Sequence, residues 1–214
     1  TDTSNRLALR DRADGIWHGT HVLEPGQEGH VAFVALGLDD GLNLLKADLS
    51  MTVGTVRAKS AKTVIRSGVS LEFSSTSFND DAVVAIIPGA DEAAGDELIP
   101  LSQPVLVHAS TPYRSESGQI HMLSVAGAQR PGVYRWDGMH WLFAGATVTD
   151  SGVGASLSSV GLYALLDDLT PPVLQDEQID RKELRFRLSD NGSGVADPTV
   201  SVDGELIPEH HYQW

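Results

Sequence analysis

Apolar and polar residues alternate along most of this chain, in short runs separated by turn residues. "HVAFVAL" and "AVVAII" are typical, because they are rich in β-branched and aromatic residues and are bounded by Gly, Pro, Asp or Ser. Runs of this kind predict strands at residues 30–36, 47–53, 68–74, 82–87, 104–110, 120–126, 132–138, 140–146, 154–166, 183–190 and 199–207. Many short strands with frequent turn signals favour β-sandwiches over a parallel sheet. The sequence therefore predicts an all-β fold.

One segment has the spacing of a helix instead. In "DDGLNLLKADL", residues 39–49, Leu42, Leu45 and Leu49 fall on one helical face. The pattern predicts one short helix or helical turn there.

Two Asp-Gly pairs predict tight turns. Asp137-Gly138 separates two aromatic-rich runs, and Asp-Gly favours a two-residue type I′ hairpin turn. That hairpin brings Tyr134, Trp136 and Trp141 into contact across the strand pair. A second Asp-Gly turn is expected in "TVSVDGELI", residues 199–207.

The segment "LLDDLTPP", residues 165–172, has the composition of a domain boundary. Its prolines cannot continue a ladder strand and they stiffen the linker. We expect an N-terminal β segment or small β domain at 1–63, a β-sandwich domain at 64–168 and the start of another domain at 169–214.

The order of motifs around this boundary resembles a tandem found in large secreted or cell-surface bacterial proteins. "GVYRWDGMHWLFAG", "SVGLYALLDDLTPP" and "LRFRLSDNGSGVADPTVSVDGE" are similar to a β-sandwich that runs through Thr-Pro-Pro into an immunoglobulin-like domain. Such modules stand in adhesins or follow catalytic domains, including lysostaphin-type zinc peptidases. The resemblance covers roughly residues 64–207, and it implies a secreted or cell-surface multidomain protein with a longer parent chain.

The C-terminal domain is expected to be incomplete by itself. An immunoglobulin-like domain needs ~100 residues and about seven strands, whereas residues 172–214 hold enough for about three strands. We therefore expect at least one unpaired sheet edge after Pro172. The remainder of a parent chain, a partner chain or residues 1–60 are the alternatives for covering it.

The charge distribution excludes several partners. The formal net charge is −14, and residues 71–214 carry the whole acidic excess. Such a surface repels nucleic acid and anionic lipid.

The chain contains no run of 18 apolar residues, so the sequence predicts no membrane-spanning helix. The absence of Cys excludes disulfides and a thiol nucleophile.

"HGTHV", from His18 to Val22, resembles the histidine segment of subtilisin-like serine proteases. There the histidine opens a helix, whereas here Pro25-Gly26 follows within a few residues and stops one. The aspartate and serine segments that such proteases need are absent. We therefore predict no catalytic residue, and His18 is interpreted as a polar residue on or beside a strand.

Zinc is disfavoured and calcium is the metal that the sequence favours. Lysostaphin-type peptidases need a His-x-His pair, and the chain has none. Oxygen ligands gather instead at the domain boundary and in the first turn beyond it, where they suit Ca²⁺. The candidate calcium ligands are Asp167, Asp168, Asp190, Asn191 and Asp197. The alternative is that these residues are solvated turn residues that bond their own backbone.

Tyr134, Trp136 and Trp141 are the candidate carbohydrate-binding residues, because aromatic rings on one strand face can stack on sugars. The alternative is that they are core or cross-strand pairs.

Three hypotheses about function follow from these interpretations. The first is a non-catalytic module pair that acts as spacer, adhesive or substrate-presenting part, with a protein or carbohydrate partner at the cell surface. The second is a carbohydrate-binding accessory module. The third, an enzyme, requires an acid–base cluster that the sequence does not show.

Overall fold

The structure is a computed structural model that describes residues 10–11, 17–18, 26, 28–38, 44–92, 94, 97–123, 126–179, 184–190, 192–193 and 199–207. Within these ranges all regular structure is β, which confirms the predicted fold class. The strands are β1 (Arg10–Asp11), β2 (Trp17–His18), β3 (Gly29–Leu38), β4 (Leu44–Val56), β5 (Lys62–Arg66), β6 (Val69–Phe73), β7 (Ala82–Pro88), β8 (Leu98–Pro100), β9 (Val105–Ala109), β10 (Gly118–Met122), β11 (Pro131–Trp136), β12 (Trp141–Gly145), β13 (Thr147–Thr149), β14 (Gly152–Ser156), β15 (Gly161–Asp168), β16 (Val173–Ile179), β17 (Leu184–Ser189), β18 (Ser201–Val202) and β19 (Glu205–Leu206).

Two antiparallel sheets pack face to face as a β-sandwich. The smaller sheet has the strand order β13-β14-β10-β6-β5, and the larger has the order β12-β11-β15-β9-β7-β4-β3, with β8 also paired to β15. The main core lies between them, where Leu71 and Ile120 of the smaller sheet meet Ile86, Val107 and Leu165 of the larger one. Alternation along each strand directs these apolar side chains inward.

The larger sheet is apolar on its outer face as well. Successive residues of β7 from Ala82 to Ile86 are all buried, and so are those of β15 from Tyr163 to Asp168. Met51, Val53, Val83 and Ala85 form one outer cluster, and a second contains Leu98, Tyr134, Trp141, Ala164 and Leu166. Central strands buried on both faces lose the alternating pattern, and their sequences are continuous apolar runs.

The predicted helix is not formed in the described part of its segment. Residues 44–49 belong to β4, and residues 39–43 lie outside the described residues. β4 pairs with β3 from Leu44 opposite Leu38 to Val53 opposite Gly29. This long ladder satisfies the backbone hydrogen-bonding groups in the strand conformation, and the pairing overrides the helical spacing of the leucines.

The predicted strand at 154–166 is divided in two. Its first part falls in β14 of the smaller sheet and its second part in β15 of the larger sheet, with residues 157–160 between them. The chain therefore crosses from one layer of the sandwich to the other at residues 157–160, in the middle of the predicted strand.

The two Asp-Gly pairs form different turns. Asp203 and Gly204 have φ values of 52° and 86° and close a two-residue hairpin between Val202 and Glu205, as the sequence predicted. At Asp137-Gly138 four residues separate β11 from β12, so the expected two-residue turn is wrong. There Oδ1 of Asp137 accepts the amides of Met139 and His140 at 2.8 and 2.7 Å, which holds the longer loop.

The sandwich includes chain on both sides of residue 63. β3 and β4 extend the larger sheet through the pairing of β4 with β7, and β5 spans the boundary expected at residues 63 and 64. After Pro172, β16 pairs with β17 and β18 pairs with β19. In the part of the chain that the structure describes, these two hairpins pair with no other strand.

Candidate functional site

The last two residues of β15 anchor the chain on both sides of the boundary. Asp167 is 5% exposed, and each of its carboxylate oxygens accepts one backbone amide: Oδ1 from Arg130 at 2.6 Å and Oδ2 from Gln129 at 3.0 Å. Both amides precede β11 directly. Asp167 therefore fixes the loop that enters β11, within the sandwich.

Asp168 is fully buried and binds the segment that follows the sandwich. Its Oδ1 accepts the amide of Thr170 at 3.0 Å. Its Oδ2 accepts both the amide and the hydroxyl of Ser193, at 2.6 and 2.7 Å. The set Asp167, Asp168, Asp190 and Ser193 is called the acidic joint below. Ser193 is the member that sequence reasoning missed, although its position in "DNGSG" between two strands was a signal for a turn that could donate.

The close approach at the acidic joint requires a glycine. A Cβ on Gly192 would lie 2.3 Å from Oδ2 of Asp168, so a side chain there cannot fit without moving the carboxylate. The amide of Gly192 donates to Oδ1 of Asp190 at 2.6 Å, which shapes the same turn.

The charge of Asp168 is stabilised by these donors. Burial raises its pKa, but the hydrogen bonds from Ser193 and Thr170, together with the charge of Arg130, outweigh burial and lower the pKa below its ordinary value. The carboxylate is therefore ionised at neutral pH, and its hydrogen bonds are of the charge-assisted kind.

The candidate calcium ligands are only partly brought together. Asp167, Asp168 and Asp190 lie at the acidic joint, while Asn191 and Asp197 lie outside the described residues. Within the described ranges, no group of three or more acidic or histidine side chains is placed to share a metal ion. Calcium binding stays a prediction.

The candidate carbohydrate-binding residues lie together on the outer face of the larger sheet. Trp136 and Trp141 are directly opposite one another on β11 and β12, with ring centroids 5.4 Å apart. Tyr134 packs edge-on against Phe143, also at 5.4 Å. Tyr134 is fully buried, Trp141 is 6% exposed and Trp136 is half-buried. The two tryptophan rings are thus in contact, as the hairpin predicted, whereas the cross-strand partner of Tyr134 is Phe143. Trp136 and Phe143 are the more accessible rings.

Two polar atoms of this aromatic cluster are buried without a hydrogen-bond partner: the hydroxyl of Tyr134 and Nε1 of Trp141. Burial raises the pKa of Tyr134, and the nearby charges of Asp168, Asp190 and Asp167 raise it further. Tyr134 therefore stays neutral, and its hydroxyl is a donor beside an acidic region.

His18 lies in β2, where it pairs with Arg10 of β1. Its backbone is extended at the position where a subtilisin-like protease begins a helix. His21, His210 and His211 lie outside the described residues.

No protein family matches the sequence, and no curated protein matches it. The part of the chain that the structure describes contains no apolar helix of membrane-spanning length.

Proposed function

We propose that the chain is a non-catalytic pair of β-sandwich modules within a larger secreted or cell-surface bacterial protein. It serves there as a spacer, adhesive or substrate-presenting part, and the second module is immunoglobulin-like. The observation that carries this proposal is the bond between Asp168 and Ser193, which joins the last strand of the sandwich to a turn 25 residues further along the chain.

This bond supports a spacer because it restricts the linker. A linker of Thr170, Pro171 and Pro172 is already stiff, since proline fixes its backbone φ. The buried carboxylate of Asp168 adds two hydrogen bonds across the linker, both from Ser193, and a third to Thr170 at the start of the linker. Hydrogen bonds to a charged group contribute about 1.5–3 kcal/mol each. A rotation of the segment after the linker that breaks the bonds to Asp168 therefore has a substantial energetic cost.

The acidic surface is compatible with an extracellular module. A net charge of −14 favours solubility and disfavours self-association. A protein or a carbohydrate at the cell surface is the proposed partner, and calcium at the acidic joint is the proposed cofactor.

Backbone dynamics test the spacer role. We expect ¹⁵N heteronuclear NOE values of β16 and β17 to match those of the sandwich in the whole chain. In Ser193→Ala, or in Asp168→Ala, these values should fall for β16 and β17 alone. Ser75→Ala, at an exposed turn of the sandwich, is the matched control and should change neither set. Values of β16 and β17 that are already low in the unmodified chain would contradict a rigid joint.

Absence of catalysis is tested separately. The purified chain should neither cleave casein nor be labelled by a serine-reactive phosphonate probe. Labelling that disappears in His18→Ala would contradict the non-catalytic assignment.

The second candidate function is a carbohydrate-binding accessory module. It is favoured by the partial exposure of Trp136 and by Phe143, which is 40% exposed on the same sheet face. Accessible aromatic rings on a flat sheet can stack on sugar faces.

A further inference from the structure

A cleft of about 450 Å³ opens beside the aromatic cluster, between the start of β12 and the segment that connects β7 to β9. Its volume is within the range of small-molecule sites, about 300–1,000 Å³. Its apolar lining consists of Pro100, Leu101, Pro104, Trp141 and Leu166. Pro100 is exposed and Leu101 is half-buried, whereas the other three are buried.

The rest of the cleft lining is polar and acidic. It consists of the exposed residues Asp91, Glu92 and Gln103 and the half-buried Ser102. Oγ of Ser102 accepts the amide of Leu165 at 3.0 Å, which leaves its own hydroxyl hydrogen available to an acceptor. The cleft therefore combines carboxylate acceptors, hydroxyl and amide donors, and an apolar wall.

We propose that this cleft binds a neutral sugar chain, with Asp91 and Glu92 accepting hydrogen bonds from sugar hydroxyls and Pro100 and Leu101 packing against the apolar face of a ring. This inference rests on the second function proposed above and not on the acidic joint.

The donors in the cleft distinguish a sugar from other ligands. An anionic ligand is repelled by Asp91 and Glu92. A simple ammonium ligand satisfies these carboxylates but offers no acceptor to Gln103 or Ser102, and a basic peptide, whose carbonyl groups do accept, is distinguished by the experiment. A neutral sugar presents hydroxyl groups that donate and accept, and its C–H face suits an apolar wall.

A buried donor in the same cluster supports this assignment. Nε1 of Trp141 has no hydrogen-bond partner, although the residue is only 6% exposed. An unsatisfied buried donor is costly and rare in folded proteins. Trp141 also lines the cleft, and a ligand hydroxyl is the proposed acceptor for its Nε1.

Affinity electrophoresis of the whole chain tests the proposal, with laminarin, xylan, galactomannan and hydroxyethylcellulose in the gels. We expect retardation by at least one of these neutral polysaccharides. Asp91→Ala/Glu92→Ala should weaken it at least about tenfold, as expected for loss of ligand hydrogen bonds to charged groups. Asp80→Ala/Asp150→Ala removes the same charge from exposed turns outside the cleft and should leave retardation unchanged.

Three results would overturn the proposal. Retardation by none of the four polysaccharides excludes a neutral sugar site of useful affinity, and leaves the spacer function intact. Retardation that is lost in Trp136→Ala but kept in Asp91→Ala/Glu92→Ala moves the carbohydrate site to the aromatic rings outside the cleft. Binding of polylysine, but of no polysaccharide, through Asp91 and Glu92 assigns the cleft to a basic peptide.

Discussion

Tyr134 and Tyr163 lie on neighbouring strands of the larger sheet and are equally buried, but only one hydroxyl has a partner. Tyr163 faces the main core, and its hydroxyl donates to the carbonyl oxygen of Ser159 at 2.7 Å. Tyr134 faces the outer cluster, and its hydroxyl has no hydrogen-bond partner. Comparing the two tyrosines measures how much one buried hydrogen bond contributes to the free energy of unfolding.

We expect Tyr163→Phe to lower the free energy of unfolding by about 1 kcal/mol, because it removes a made hydrogen bond and leaves a carbonyl oxygen with fewer donors. Tyr134→Phe should leave the free energy of unfolding unchanged or should raise it. The hydroxyl of Tyr134 loses its hydration on folding and forms no hydrogen bond in return, so its removal costs nothing. Urea unfolding of both variants measures the difference. Equal losses in the two variants would mean that the Tyr134 hydroxyl has a partner in solution.

The bond between Asp168 and Ser193 should have a measurable energy. Ser193→Ala removes one charge-assisted hydrogen bond, and we expect a loss of about 1.5 kcal/mol in the free energy of unfolding of the unit that contains β16 and β17. Asp168→Ala leaves the amides of Thr170 and Ser193 without their acceptor, so its loss should be larger, about 3 kcal/mol. Native-state hydrogen exchange of β16 and β17 reports it. Unchanged hydrogen exchange in both variants would show that the bonds between Asp168 and Ser193 do not stabilise β16 and β17.

Acid should weaken the joint in a defined range. The pKa of Asp168 is lowered in the folded chain from its ordinary value of 3.8. Its contribution to stability is therefore fully present above 3.8 and is lost as pH falls through the lower folded value. We expect the difference in stability between the unmodified chain and Asp168→Asn to be constant near neutral pH and to shrink below 3.8. A difference that shrinks well above this value would assign the titration to another group.

Gly192 should tolerate no side chain, since its Cβ would meet Oδ2 of Asp168. We expect Gly192→Ala to increase exchange in β16 and β17 as Ser193→Ala does. In the background of Asp168→Ala the same substitution should cost much less, because the clashing carboxylate is gone. A double-mutant cycle measures this coupling, and full additivity would show that the two residues do not touch.

The expectation of a calcium site predicts a rise in melting temperature with millimolar calcium, because only the folded joint collects the ligands. Asp190→Ala should abolish the rise. Sodium chloride of equal ionic strength controls for screening of the net negative charge. Identical melting curves in calcium and in excess chelator would contradict calcium binding at the acidic joint. The carboxylates would then be solvated turn residues that bond the backbone.

Local patterns in the sequence were sufficient to predict the strands that are buried on one face only. β6 alternates between buried and more exposed residues from Val69 to Phe73, and its position was predicted closely. The turn at Asp203-Gly204 was also predictable, because only a few residue types adopt positive φ without strain. The end of β15 just before Pro171 could also be predicted, because proline cannot continue a ladder strand.

Other features depended on contacts between distant residues. The leucines of residues 44–49 are compatible with a helix, and their pairing with β3 decided for a strand. The segment 154–166 was compatible with one strand, and only the packing of two sheets shows that it divides between layers. Asp168 could be recognised as a joint residue, but its partner Ser193 could not, because nothing in the linear order relates them.

The sequence by itself determined the all-β class, most strand positions and the acidic excess, since these follow from periodicity and composition. Only the tertiary structure decided that Tyr134 and Trp141 are buried while Trp136 is partly accessible, and that Asp168 is enclosed by Ser193. Burial depends on which face of a strand another part of the chain covers, and a periodic pattern identifies the two faces without identifying what lies against them.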